Sequence, residues 1–246
     1  MSNKTDSNLY TILFAIAMVV VVGGLLAFTA SALKPRINNN ERLEKQQNIL
    51  YAMGVNANDE SSAIFVSTDE APELFSKYIT KQLVIQGKNV TEDKEAYLID
   101  VKKEQTSAKA GNARRLPLFV GVKDGKTYYI APIRGKGLWD AIWGYIALDK
   151  NMVVQGAYFD HKGETAGLGA NIKQRFFMDD FIGEDLMNNG EFKGITVAKG
   201  NNDPKNIEKN DNEVDAIAGA TITGDGVSAM LKSELKQYVS YFKTLK

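Results

Sequence analysis

Leu116-Pro-Leu-Phe-Val-Gly-Val-Lys-Asp-Gly-Lys-Thr-Tyr-Tyr-Ile-Ala-Pro-Ile133 decides the fold. Two runs rich in β-branched and aromatic residues, Leu116 to Val122 and Thr127 to Ile133, flank Lys123-Asp-Gly-Lys126. Asp-Gly favours the tight turns that join antiparallel strands, so the stretch predicts a hairpin. Trp143 to Leu148 and Met152 to Phe159, separated by Asp149-Lys-Asn151, predict a second strand pair. Outside these strands the period lengthens. Pro72 to Gln82 spaces Leu74, Phe75, Tyr78 and Ile79 for a short helix, and helices are expected from Gly169 to about Phe181. A last amphipathic helix carries Val227, Met230, Leu231, Leu235, Tyr238 and Phe242. Ile195 to Ala198 reads as strand and Asp203 to Asn212 as a polar loop. The class is α+β, an antiparallel sheet with flanking helices.

The N-terminal end is of another kind. Leu9 to Leu33 holds no charged residue and is apolar all round. About twenty apolar residues cross a hydrocarbon core, whereas the apolar part of a cleavable signal runs about 7 to 15, so a single transmembrane helix over 9–33 is expected. Ala30-Ser-Ala32 has the small residues of a cleavage site, which keeps a removed signal as the alternative. Residues 1–8 form a short tail, and 34–54 a stalk helix in which Leu43, Gln47, Leu50 and Ala52 share a face before Gly54. Residues 55–246 form the large domain. Orientation stays open: Lys4 precedes the span, while Lys34, Arg36, Arg42 and Lys45 follow it, and that count alone puts the large domain in the cytoplasm.

Composition removes several function classes. The net charge is zero, with 30 basic and 30 acidic residues, so no nucleic-acid surface is expected. Cysteine is absent, which excludes disulfides, thiolate catalysis and cysteine-held iron–sulfur clusters. His161 is the one histidine and has no companion for a metal site or a serine-hydrolase triad; it is read as a hydrogen-bonded turn residue. Gly125-Lys-Thr127 imitates the end of a phosphate-binding loop, but Gly121 stands one residue too close. No catalytic residue and no metal ligand is expected.

Asp215-Ala-Ile-Ala-Gly-Ala-Thr221 presents one hydroxyl on a turn almost free of side chains. Gly219 and Ala220 leave room for another molecule, and Asp215 supplies a fixed charge beside it. A threonine hydroxyl is a weak nucleophile without an activating base, and no base stands near it in sequence, so a separate enzyme is the expected modifier. Thr223, just before Gly224, reads as the N-cap of the last helix. Asp225 competes for the same amides.

The segment resembles the site at which a flavin transferase joins FMN to threonine through a phosphoester, with Thr221 at the acceptor position and Ala218 where the pattern has Ser or Thr. Gly135-Lys-Gly-Leu-Trp139 resembles a signature of the C subunit of the sodium-translocating NADH:quinone oxidoreductase. His161-Lys-Gly-Glu-Thr-Ala-Gly-Leu-Gly169 resembles that family's His-x-x-Glu-Thr-Pro-Gly-Leu-Gly loop, with Ala166 for proline. The resemblance implies an FMN-binding domain over 55–246 and a membrane-anchored flavoprotein that relays single electrons, alone an electron carrier. It implies covalent FMN on Thr221, with Trp139 packed on the ring, Lys136 favouring a reduced flavin or its phosphate, and Thr165, Gly167, Leu168 and Gly169 beside the flavin. It further implies NADH-oxidising and membrane subunits as partners, a transferase for maturation, and quinone and sodium handled by the whole complex. By the same token the protein is a single-pass component of the cell inner membrane with the large domain on the periplasmic side, against the charge count. Two alternatives stand beside it: the G subunit of the related ferredoxin-oxidising ion-translocating complex, and a non-redox membrane-anchored ligand-binding domain.

Overall fold

The computed structural model describes residues 7–59, 62–201, 203 and 206–245. The chain divides into two units, Met1–Arg42 and Leu43–Lys246. In the first, helix α1 (Asn8–Ala52) begins with a run whose mean hydropathy reaches 2.7 over 18 residues, none of them buried. Leu9, Phe14, Val19, Val22 and Phe28 are each at least 45% exposed and lie around the whole helix, so it has no polar face. This helix is long and apolar enough to cross a membrane.

The second unit contains the last turns of α1, of which Asn48 to Ala52 are buried, then α2 (Ala71–Tyr78), β1 (Ile79–Gln86), β2 (Asn89–Glu92) and α3 (Val101–Lys109). Strands β3 (Leu116–Lys123), β4 (Lys126–Lys136), β5 (Ala141–Leu148) and β6 (Val154–His161) follow. The six strands form one antiparallel sheet in the order β2-β1-β3-β4-β5-β6. Asp124 and Gly125 turn the β3–β4 hairpin with φ of 50° and 73°, the left-handed pair that matches the twist of the strands. Between β6 and the C-terminal helix the chain runs through short pieces: α4 (Arg175–Met178) between two 3-10 turns, the hairpin β7 (Met187–Asn188) and β8 (Glu191–Phe192), and the parallel pair β9 (Thr196–Val197) and β10 (Glu213–Val214). Helix α5 (Thr221–Leu235) and α6 (Val239–Phe242) close the chain.

Side-chain alternation fixes the layers. Gly121 meets Met53 of α1, and the register Gly121, Phe119↔Ile130, Ile130↔Ala147, Ala147↔Gly156 keeps one face, where Gly156 lies under the carbonyl of Ala52. Gly135 is five residues beyond Ile130 and so faces the other way, onto Met230 of α5. The sheet is thus held between the end of α1 and α5. Phe119, Ile130, Ile133, Phe159 and Leu231, each 1% exposed or less, fill the core between the layers.

The two predicted strand pairs form as read. Two local expectations change. The helix expected over 72–82 ends at Tyr78, because β-branched Ile79, Val84 and Ile85 pair with β3 instead. Helix over 169–181 is broken at Gln174, which is extended, so that Phe177 and Phe181 can both pack on Phe159. Strand β2, the end of β1 beyond Gln82 and helix α3 carried no expectation.

Candidate functional site

Helix α5 starts three residues earlier than its polar pattern suggests. Ala220 is its N-cap, Thr221 its first residue, and no side chain caps it. Thr223 is therefore not the cap, and Asp225 stands more than a turn inside, where it does not cap the free amides either. The first N–H groups of such a helix have no intrahelical partner and form a positively polarised end. Thr221 is exposed beside them. Gly219, at φ 71°, turns the chain into the helix, and the side chain of Leu168 lies against it: a Cβ there would stand 2.8 Å from Leu168 Cδ2.

A cavity of 250 Å³ opens under this turn, lined among others by Leu138, Glu164, Thr165, Leu168, Gly169 and Thr221. It brings together three segments far apart in sequence. Residues 137–140 form the β4–β5 hairpin loop, closed by Gly137 N–H donating to Asp140 O at 2.8 Å. Residues 164–169 come from the loop after β6, and 219–223 from the start of α5.

Glu164 joins them. Its carboxylate is 7% exposed; Oε2 accepts from the buried Thr223 hydroxyl at 2.6 Å and Oε1 from Trp139 N–H at 3.0 Å. Burial raises its pKa, but the Thr223 hydroxyl and the backbone N–H groups of Trp139, Asp140 and Leu138 outweigh burial and hold the carboxyl below its ordinary range. Glu164 is thus an ionised acceptor. Gly137 and Gly169 are glycines for this reason: a Cβ on either would stand 2.6 Å from a Glu164 oxygen, and on Gly169 also 2.5 Å from Thr223 Oγ1.

Around the rim, Trp139 is 67% exposed and its indole N–H donates to Thr165 Oγ1 at 3.2 Å. Leu138, Leu168 and Ile222 are 43%, 41% and 58% exposed. An apolar rim above an ionised floor and a helix N-terminus suits a flat ring system carrying a phosphate.

Of the residues expected from sequence, Thr165, Leu168, Gly169, Gly219, Ala220 and Thr221 line this cavity, and Trp139 is bonded to Thr165. Gly167 and Asp215 line a larger neighbouring cavity of 650 Å³ with Phe176, Asp180 and Lys199. Asp215 donates its N–H to Asp180 Oδ2 at 3.0 Å. Lys136, at the end of β4, borders a different cavity beside α3 and the far half of α5. His161 is the last residue of β6 and not part of a turn, but it is hydrogen-bonded as expected: Nδ1 accepts from Glu164 N–H at 3.2 Å. Glu164 and its bond to Thr223 carried no expectation, although a carboxylate among glycines in the 161–169 loop was the available signal.

Residues 137–236 match the FMN-binding domain family. Over 243 residues the chain is 29% identical to the C subunit of the Na(+)-translocating NADH-quinone reductase of Vibrio anguillarum, covering 92% of this chain and 90% of that one. The C subunit of the Pseudomonas aeruginosa reductase is likewise 29% identical, over 94% of this chain and 92% of its own. Among solved structures, the C subunit from Parabacteroides distasonis superposes with a TM-score of 0.72 at 34% identity, covering 85% of this chain and 96% of that one. The Shewanella oneidensis NqrC superposes at 0.68 with 26% identity, covering 84% and 98%. Three motifs meeting at one carboxylate, an apolar N-terminal helix and these likenesses lead to one assignment: the chain belongs to the family of C subunits of the Na(+)-translocating NADH-quinone reductases.

Proposed function

We propose that this protein carries FMN as a phosphoester on Thr221 and relays single electrons within a sodium-pumping NADH:quinone oxidoreductase. The observation that carries this reading is the exposed Thr221 hydroxyl at the first position of a 15-residue helix with no side-chain cap. A phosphate there meets unpaired N–H groups and the positive end of the helix.

Bound FMN supplies the electron chemistry, and the protein supplies position and surroundings. Glu164 locks the two loops and the helix start into one rigid floor. Trp139, held by Thr165, presents an aromatic surface, while Leu138, Leu168 and Ile222 exclude water. Thr165 accepts from the indole and keeps its own hydroxyl proton to donate. Asp215 and the small residues before Thr221 give a flavin transferase its recognition segment. A covalent bond keeps the cofactor in place at any free concentration, which non-covalent affinity does not. In this reading the span over 9–33 anchors the protein in the inner membrane, a stalk over 34–54 follows, and the FMN-binding domain over 55–246 lies on the periplasmic side. The span contains no acidic residue, so sodium crosses through other subunits, which also handle NADH and quinone.

Intact-mass analysis and in-gel flavin fluorescence of the membrane-purified protein test this. Wild type is expected to keep one FMN after denaturation, and Thr221→Ala none. A wild-type protein made beside an active transferase and still free of flavin overturns the reading.

A further inference from the structure

A second cavity, of 570 Å³, lies between α3, the end of β4 and the far half of α5. Ser233 on its wall is twelve residues beyond Thr221, roughly 18 Å along the helix at about 1.5 Å per residue. The FMN phosphate proposed at Thr221 therefore does not reach it. Four cationic residues border the cavity, Lys109, Arg114, Arg134 and Lys136, against one carboxylate, Glu234.

That carboxylate is already engaged. Arg114 Nη1 and Nη2 donate to the two Glu234 oxygens at 3.0 and 2.5 Å. The neighbouring Glu104 is taken up by Arg115, at 2.9 and 2.6 Å. Lys109, Arg134 and Lys136 form no ion pair among the described residues, although Asp140 feels the charge of Arg134 at longer range. The Arg114 side chain is 10% exposed, and its buried Nε–H has no hydrogen-bond partner among the described residues.

We propose that this cavity binds a phosphate-bearing anion, through the cationic side chains of Lys109, Arg134 and Lys136 that border it. The excess of positive charge calls for more than one negative charge, and tetrahedrally arranged oxygens can accept from donors converging from several directions, which a planar carboxylate does less well. The phosphate comes either from a soluble anion or from a phospholipid headgroup.

Calorimetric titration of the full-length detergent-solubilised holoprotein distinguishes these sources. Sodium pyrophosphate, sodium acetate at matched ionic strength, and mixed micelles containing phosphatidylglycerol are the three probes. Saturable heat with pyrophosphate in lipid-free detergent supports a soluble anion; saturation only with phosphatidylglycerol micelles supports a headgroup. In either case the doubly substituted Arg134→Gln, Lys136→Gln protein, with an unchanged circular-dichroism spectrum, is expected to bind at least about tenfold more weakly, while Lys150→Gln binds as wild type. No saturable heat in either phosphate arm, acetate binding as tightly, or full binding by the double variant overturns the proposal.

Discussion

At the residue scale, two buried carboxylates of opposite character stand out. Glu164 is surrounded by donors and stays ionised, and Thr223 gives it one of them. Thr223→Val keeps the shape and removes that donor, at a cost of about 1–3 kcal/mol. Because the folded pKa of Glu164 is depressed, its contribution is present above the unfolded carboxylate pKa and lost as pH falls through the folded value. Thr223→Val is therefore expected to unfold at a higher pH in an acid titration followed by fluorescence, while Thr221 still accepts the flavin. Glu184 is the reverse. It is 0% exposed, its oxygens lack well-formed hydrogen bonds among the described residues although the Asn206 side chain is near enough to favour the charged form, and Lys209 Nζ is 3.9 Å away. Burial, only partly offset by Asn206 and Lys209, pushes it from the ordinary 4.5 up to about 7. Between those values the unfolded chain ionises and the native one does not, so stability falls as pH rises from 4.5 to 7 and then levels off. Glu184→Gln is expected to gain on wild type across that window, by at most on the order of 3 kcal/mol, measured by denaturant melts at pH 5 and pH 8.

At the scale of elements, the seating of α5 on β4 decides whether the site exists. The two backbones touch at Gly226, where a Cβ would stand 2.4 Å from the carbonyl of Lys136, and at Gly135, where it would meet Met230 Cβ at 2.7 Å. A carbonyl in a strand cannot rotate away as a flexible side chain can. Gly226→Ala is expected to lift the start of α5 from the hairpin loop, lowering stability by roughly 1–3 kcal/mol and reducing flavin incorporation. A thermal melt and in-gel fluorescence on the same preparation check this. The helix start also marks a limit of local reading. Thr223 has every local mark of an N-cap, yet its hydroxyl is drawn to Glu164, 59 residues away, and the helix begins at Thr221 without a cap. The strand pairs around Asp124-Gly125 and Asp149-Asn151 were legible because their turns and alternation are local. Strand β1 was not, because only pairing with β3 separates Ile79 to Gln86 from the helix before it.

At the scale of the whole molecule, the core depends little on the apolar run. Buried residues begin at Asn48, and the contiguous core extends from Ile49 to Phe242. A protein lacking residues 1–42 is expected to be soluble without detergent and to melt cooperatively, as judged by circular dichroism, provided Ile49 to Met53 are retained. Aggregation of that truncation would show that the apolar helix serves the fold as well as the membrane. By itself the sequence determined the apolar helix, the antiparallel hairpins and the three motifs that resemble those of a flavoprotein, among them the segment ending at Thr221 that is proposed to accept the flavin. Each is a property of neighbouring residues: hydropathy over a window, alternation, or turn chemistry. Only the tertiary structure decided that Glu164 holds the motifs together, that Gly137 and Gly169 exist to admit its carboxylate, and that Lys136 borders a separate basic cavity. The Glu164 contacts join residues 25 to 59 positions apart, and the basic cavity joins β4 to the far half of α5, which no local pattern encodes.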